Sequence, residues 1–548
     1  VRNRTHRPVG IVAVGLATAL ALTGCGGGDE PAEDGDTTET TVDTATPEPG
    51  GTLTYAVEAE SSGGFCLAEA QLSAAGIQVA NAIFEPLMAY DENLEPKPYL
   101  AESVEANADN TSFTFKLRPG VKFHDDTELT AGVVKENIDL WRGDKAATDK
   151  YGRSPLLLPF VFQDIADVQA PDPTTVVVNT KRPWSAFPNF LAGGRYGIMA
   201  TSQYSDPACA EKLVGTGPFK LVSWQRGQQM ELEKNPDYWR KDADGNQLPY
   251  LDKVVFKPIE GGQPRFDALD GGSINALHTS SQSVFDALQD DPDRFVFIPE
   301  DEGHKEVGYG LVNASKAPLD DIEVRKHMGM AIDRDVLNDI NSDGEFEIAN
   351  GPFDTEVIGY LEDPGTFEYD PDTAKAFFDG KDIEVDLAYA TDPTTKLIAE
   401  SVKTQLDQVG VTVNITEVDQ ATLINQAIGG TFQIILFRNH PGGDPDTQYV
   451  WWHSTSPVNF GRIKDPRIDK ALDDGRVESD PAKRKAIYED LNRAFVDGAW
   501  NLWNWYTEWG VGSAKEVHNL TGTTLPDGSK GAGMNWGWHY LTEAWVEQ

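Results

Sequence analysis

Cysteine is almost missing from this chain: three in 548 residues, at positions 25, 66 and 209, with no C-x-x-C pair. Redox and zinc-ribbon motifs are therefore excluded. Positive charge is also scarce. Forty-six Lys and Arg face 88 Asp and Glu, a formal charge of −42. Such a surface repels nucleic acid and offers no basic groove for phosphates. Beyond the first 22 residues no apolar run approaches the eighteen that a membrane helix needs, so a mature chain would not span the bilayer. Catalytic signatures are missing too. There is no G-x-S-x-G, no H-E-x-x-H and no phosphate loop. Nine histidines are spread thinly, and His440 and His453 lack metal-site spacing, so no metal or other cofactor is expected. Asp242 and Asp244 in "KDADGNQLPY" lack the remaining ligands of a calcium loop and read as a turn.

What is present begins with targeting. Arg2, Arg4 and Arg7 precede the fourteen-residue run "VGIVAVGLATALAL", too short to span a membrane but right for a signal segment. Leu22-Thr23-Gly24-Cys25 resembles the bacterial lipobox. That resemblance implies cleavage after residue 24 and lipidation of Cys25. Residues 25–50 are Gly-rich, acidic and without hydrophobic period, as expected of an extended tether. With Cys25 lipidated, Cys66 and Cys209 either pair as a disulfide outside the cytoplasm or remain two isolated buried thiols.

Folding is expected from Gly51. Leu53, Tyr55 and Val57 alternate as in a strand, and so do Phe113, Phe115 and Leu117. Thr130 is placed to cap a helix carrying Val134, Ile138 and Trp141 on one face. "PLDDIEVRKHMGMAIDRDVL" reads as one helix. Ile398, Val402, Leu406 and Val409 mark another, closed by Gly410 and followed by strand-like Val411, Val413 and Ile415. Interleaved strands and helices define an α/β protein without internal repeats. Seven of the thirteen tryptophans lie between Trp500 and Trp545, and Trp503 and Trp505 alternate with Asn504 and Tyr506. Such rings either pack where two lobes meet or present flat faces to a solute.

Several segments, in order, resemble the family 5 extracytoplasmic solute-binding proteins, the oligopeptide, dipeptide and nickel class serving ABC importers. They are "NAIFEPLMAYDENLEPKPYLAESVEANADNTSFTFKLRPGVKFHDDTELTAGVV", "VGTGPFKLVSWQRGQQMELEKNPDYW", "EVRKHMGMAIDRDVL", "YDPDTAKAFF" and "ESVKTQLDQVGVTVNI". The resemblance implies a two-lobed periplasmic-binding-protein-like fold, class II-type and cluster C-like. Lobe one would comprise 51–303 plus 503–548, with an extra subdomain near 83–205, and lobe two 304–502. The crossings fall near "EDEGHKEVGYG" and "NLWNWYTEWG". It also implies a non-enzymatic, monomeric protein on the outer face of the cytoplasmic membrane, held there by lipid. Such a protein closes on a peptide or peptide-like solute and delivers it to permease subunits. An oligosaccharide is the alternative solute, with a nickel chelate or hydrolase activity further behind.

Peptide-binding members carry an ammonium-binding aspartate in a W-x-x-D-x-x-D-P stretch. Here "LFRNHPGGDPDTQY" places Arg438 and Pro441 where the tryptophan and that aspartate would stand; Asp444-Pro445 matches the end. The expected ligand-binding set is Arg438, His440, Asp444, Trp451, Trp452, Trp503, Trp505, Tyr506 and, from "LAGGRYGIMA", Arg195.

Overall fold

Alternation in "TLTYAV" becomes the strand Thr52–Val57, whose Leu53, Tyr55 and Val57 are buried. The computed structural model describes residues 46–61, 63–300, 305–440 and 442–548. The signal segment, Cys25 and most of the acidic stretch lie outside the described residues.

Thr52–Val57 is the fourth of seven strands in the largest sheet. It pairs in parallel with Lys253–Pro258 on one side and Ala276–Thr279 on the other. Phe219–Gln225 and Phe295–Pro299 form the sheet's edges. A second sheet of five strands runs Val411–Val418, Ile383–Ala390, Ile434–Asn439, Glu306–Val312 and Asn501–Thr507. Its parallel strands Ile383–Ala390 and Val411–Val418 are joined through the helix Pro393–Gln408, capped by Asp392 on the Thr395 N–H. Gly410 follows at φ +96°, a conformation that favours glycine, and the chain turns directly into Val411–Val418. A third, antiparallel sheet of four strands spans Ala101–Ala106 to Thr175–Thr180 in sequence. The helix Ala131–Trp141 lies against it, and Thr130 caps that helix on the Val133 N–H. The mixed α/β architecture expected from the sequence is present.

The chain passes from Phe295–Pro299 in the seven-stranded sheet to Glu306–Val312 in the five-stranded one. It returns from Asn501–Thr507 to Gly510–Ala514. The return enters at Gly510, paired with Thr279 at the end of a parallel strand on one side and with Pro299 on the other.

Two expectations need correction. The helix beginning at Ile322 ends at Ala331, and a second helix, Arg334–Ser342, starts on an Asp333 cap. The Asp333 carboxylate accepts the Asp335 and Val336 N–H groups, which resets the chain direction. The tryptophan strand is irregular as well. Gly308 pairs with Trp505 but Tyr309 pairs with Trp503, leaving Asn504 as an extra residue. This bulge breaks the alternation. Trp503 and Tyr506 join one core, while Trp505 and Leu502 join the other. Gly308 makes room for the Trp505 indole, since a Cβ there would stand 3.0 Å from its nitrogen.

Cys66 and Cys209 are joined as a disulfide, closing a sequence separation of 143 residues. Around it Phe65 N–H donates to the Ala210 carbonyl, and Gln203 donates to the Phe65 and Cys209 carbonyls. Constraining so long a loop in the unfolded chain stabilises a fold by about 2–4 kcal/mol. Replacing both cysteines by serine is expected to lower unfolding stability by that amount. Urea titration with and without reductant checks it, and equal midpoints would refute it.

Candidate functional site

The parallel strands of the large sheet end at Val57 and Thr279. The residues just beyond, Glu58 and Ser280, face the end of strand Ile434–Asn439 across the seam between the sheets. Open α/β sheets bind ligands outside such carboxyl ends.

Arg438 crosses this seam. Its guanidinium lies 3.4 Å from the Glu58 carboxylate, 3.6 Å from Glu306 and 3.3 Å from Ser280 Oγ, over the Trp509 ring at 5.2 Å. The two carboxylates keep Arg438 firmly protonated although it is partly desolvated. Glu58 is held below the usual carboxylate range: burial opposes its charge, but Arg438, His278 and Arg265 outweigh burial. Glu306, which also accepts the Trp509 indole N–H at 3.0 Å, is pushed up by burial against the pull of Arg438. Glu300, raised strongly by burial, accepts the backbone N–H groups of Trp509 and Trp536. One carboxyl thereby ties the outgoing crossing, the returning crossing and the C-terminal segment together.

His278 completes the floor. Burial lowers its pKa to about 4, so the ring is neutral. Nε2 accepts the Glu58 N–H at 2.9 Å and Nδ1 donates to the Gly537 carbonyl at 2.6 Å. That tautomer orients the backbone at Glu58.

Trp536 lies between two expected site residues. His440 stacks on it at 4.4 Å, and the Arg195 guanidinium sits 4.9 Å from its centroid. Arg195 Nε donates to the Leu72 carbonyl, but the guanidinium makes no ion pair among the described residues. Burial lowers its pKa from the ordinary arginine value.

Other expected site residues are committed elsewhere. Both Asp444 oxygens are taken by Arg484 at 2.6 and 2.8 Å, and one also accepts the Asp446 N–H, starting the short helix Pro445–Gln448. Trp452 packs on Phe495 and Phe353, and Trp503 on Tyr309 and Phe495. Trp505 fills the second core. The Tyr506 hydroxyl donates to Asn350 Oδ1 and the Phe353 carbonyl. Trp451, half-buried, packs on Phe460. These side chains organise the core, and the structure does not gather them with Arg438, His440 and Arg195. Sequence reasoning missed Glu58, Glu300, Glu306, Trp509 and Trp536. The usable signal was position: the first acid after a parallel strand, and acids at the crossing.

A cavity of about 410 Å³ lies near the same loop. Asn93, Glu95, Ser185 and Asn189 line one side; Glu356 and Gly443 line the other. No cation lines it.

Comparison with known proteins fits this geometry. Residues 95–461 match the model of the bacterial extracellular solute-binding proteins, family 5. The chain belongs to that family. The glutathione-binding protein GsiB of Pectobacterium atrosepticum is 25% identical over 448 residues, 77% of this chain and 82% of the relative. GsiB of Escherichia coli K12 is 25% identical over 75% of this chain and 80% of its own. The periplasmic binding protein DppA from Helicobacter pylori, solved with the peptide STSA, superposes with a TM-score of 0.80 at 22% identity. It covers 91% of this chain and 99% of its own. The oligopeptide-binding protein AppA from Bacillus subtilis, solved with a nonapeptide, gives 0.79 at 21% identity over 92% and 100%. Family 5 members are extracellular solute-binding proteins, and this chain has their fold.

Two residues before Glu356 stands Asp354, 1% exposed, with Oδ1 accepting the Glu356 N–H. Burial raises its pKa to about 7 from 3.8. The folded state therefore holds a proton between about pH 4 and 7 that the unfolded chain has lost. Stability falls as pH rises through that window. Asp354→Asn is expected to be level with the parent near pH 4 and more stable at pH 8, by up to about 4 kcal/mol. Urea unfolding at both pH values checks this. An advantage that does not grow with pH would refute it.

Proposed function

We propose that this solute-binding protein captures a peptide or peptide-like solute between its two large sheets and presents it to the permease of an ABC importer. The seven-stranded and five-stranded sheets act as the cores of two lobes, and the connections between them, including Thr507–Gly510, as the hinge. No bond is made or broken. The monomer works by closing around its ligand.

The observation that carries this reading is the contrast between the two seam arginines. Arg438 is neutralised by Glu58 and Glu306, so its charge is spent on the seam. Arg195, braced on Trp536, makes no ion pair among the described residues and feels the Glu306 carboxylate only at longer range. A solute carboxylate supplies the missing counter-charge, and a planar guanidinium receives it through two parallel hydrogen bonds. The cavity's carboxylates, Glu95 on one side and Glu356 on the other, suit the solute's amino end, beside Gly443 of the stretch that lacks the family's usual aspartate. Trp509 and Trp536 are 1% and 8% exposed, already covered by Arg438, Arg195 and His440. An open aromatic platform for sugars is not left over, which favours a peptide over an oligosaccharide.

Thermal-shift screening with dipeptides, tripeptides including glutathione, oligosaccharides and a nickel–histidine chelate tests the reading. Peptides are expected to stabilise the fold, by about 2.7 kcal/mol at a hundredfold excess over Kd. Arg195→Ala is expected to weaken the best peptide at least tenfold. Stabilisation by sugars alone would overturn it.

Lipidation of Cys25 completes the proposal. The acidic stretch after it would hold the binder near the membrane at high effective concentration. Cys25→Ser is expected to move the protein from the membrane fraction to the medium without changing peptide affinity. Continued membrane attachment would refute the anchor.

A further inference from the structure

Besides the hydrophobic core it shares with the seven-stranded sheet, the four-stranded sheet meets helices of the five-stranded side through an ion-pair cluster away from Arg438. Asp164 precedes its strand Ile165–Asp172; Arg182, Trp184 and Ser185 follow its strand Thr175–Thr180. Facing them are Asp446 of the helix Pro445–Gln448 and Asp473 and Arg476 of the helix Pro466–Val477. Both helices lie between two strands of the five-stranded sheet.

Hydrogen bonds join the faces. Arg476 donates to Asp164 at 2.8 Å, Arg182 to Asp473 at 2.6 Å and the Trp184 indole to Asp446 at 2.5 Å. Ser185 N–H donates to the Arg476 carbonyl at 3.1 Å and its hydroxyl to the Glu478 carbonyl at 2.8 Å. Arg476, 1% exposed, also lies over the rings of Trp184 and Tyr449 at 4.6 and 4.0 Å.

The charges are arranged so that the faces can part. Arg182 has its own partner, Asp164, on its side at 2.8 Å. Arg476 has Asp446 on its side at 2.8 Å. Separation breaks the cross pairs yet strands no arginine without a carboxylate. A permanently buried weld has no need of this duplication, since breaking a buried pair by orphaning one charge is strongly unfavourable. The contacts also bear on the cavity: Ser185 lines it from one face, and Gly443 of the Asp444–Asp446 loop from the other.

We infer that Asp164, Arg182 and Trp184 with Asp446, Asp473 and Arg476 form a reversible latch. It closes the four-stranded sheet over the cavity and sets the open–closed balance of the protein before any solute binds. The inference rests on the two-lobe reading above. Its test uses no solute, so a failed peptide screen leaves the result standing, and a failed latch leaves the screen untouched.

The Ser185 amide is the reporter, because its acceptor lies across the seam. In the unliganded full chain, hydrogen exchange is followed in peptides covering 182–187 and 112–117, alongside small-angle scattering. Asp473→Asn with Trp184→Phe removes two cross contacts and leaves both same-side ion pairs in place. Exchange at 182–187 is expected to rise about tenfold and the radius of gyration to increase, with 112–117 unchanged. Asp473→Glu alone is expected to keep parental exchange. Unchanged exchange and scattering in the double variant would overturn the latch. So would exchange rising equally at 112–117, the mark of general loosening. Should the double variant fail to fold, Asp473→Asn alone, at an exposed position, is read by the same criteria.

Discussion

A single guanidinium between two carboxylates holds the seam on which the molecule depends. Arg438 belongs to the five-stranded sheet, Glu58 to the seven-stranded sheet, and Glu306 stands where the chain leaves one for the other. A lone, partly desolvated charge at that point would oppose folding, and two carboxylates without the arginine would repel each other. The trio instead fixes where the two sheets meet. Glu306 passes the constraint to Trp509 on the returning crossing, and Glu300 carries it to the backbone of Trp509 and Trp536. His278 is neutral because any proton there would be buried against the same cluster. The site therefore has little independent conformational choice: moving one of these groups orphans another.

Much of the scaffold was legible because it obeys local rules. Thr130 caps a helix as its residue type favours, and Gly410 accepts a backbone angle that other residues resist. Ordered similarity to family 5 gave the fold class. The failures have physical causes too. Asp333 reads as one more polar residue on a helix until its side chain is seen capping the next one. Trp503 and Trp505 alternate perfectly in sequence, and only pairing with the neighbouring strand reveals that Asn504 bulges and sends them to different cores.

The site was less legible than the fold because its groups meet only in three dimensions. Glu58 and Arg438 are 380 residues apart. Aromatic density around Trp500–Trp545 pointed to this segment, but the rings on the strand pack into the cores, whereas Trp509 and Trp536, in irregular backbone, lie under the arginines. Asp444 was singled out for its motif position, yet its fork with Arg484 makes it a brace for the loop.

Net charge adds a last constraint. With 88 acids against 46 bases, the field around the protein repels anions at long range. Salt screens that field within about 8–10 Å, so the free energy of receiving a carboxylate must come from close by. Only a cation in a water-poor setting and without an internal partner can supply it, because Coulomb attraction strengthens as the local dielectric falls. Arg195, buried and without an ion pair among the described residues, fits this better than Arg438, which has two carboxylates beside it. Selectivity then follows from the same arrangement. On the proposed reading a small anion would gain Arg195 alone and remain opposed by the surrounding acids. A zwitterionic solute long enough to reach Glu95 and Glu356 on the two sides of the cavity would turn those acids from a penalty into a second anchor.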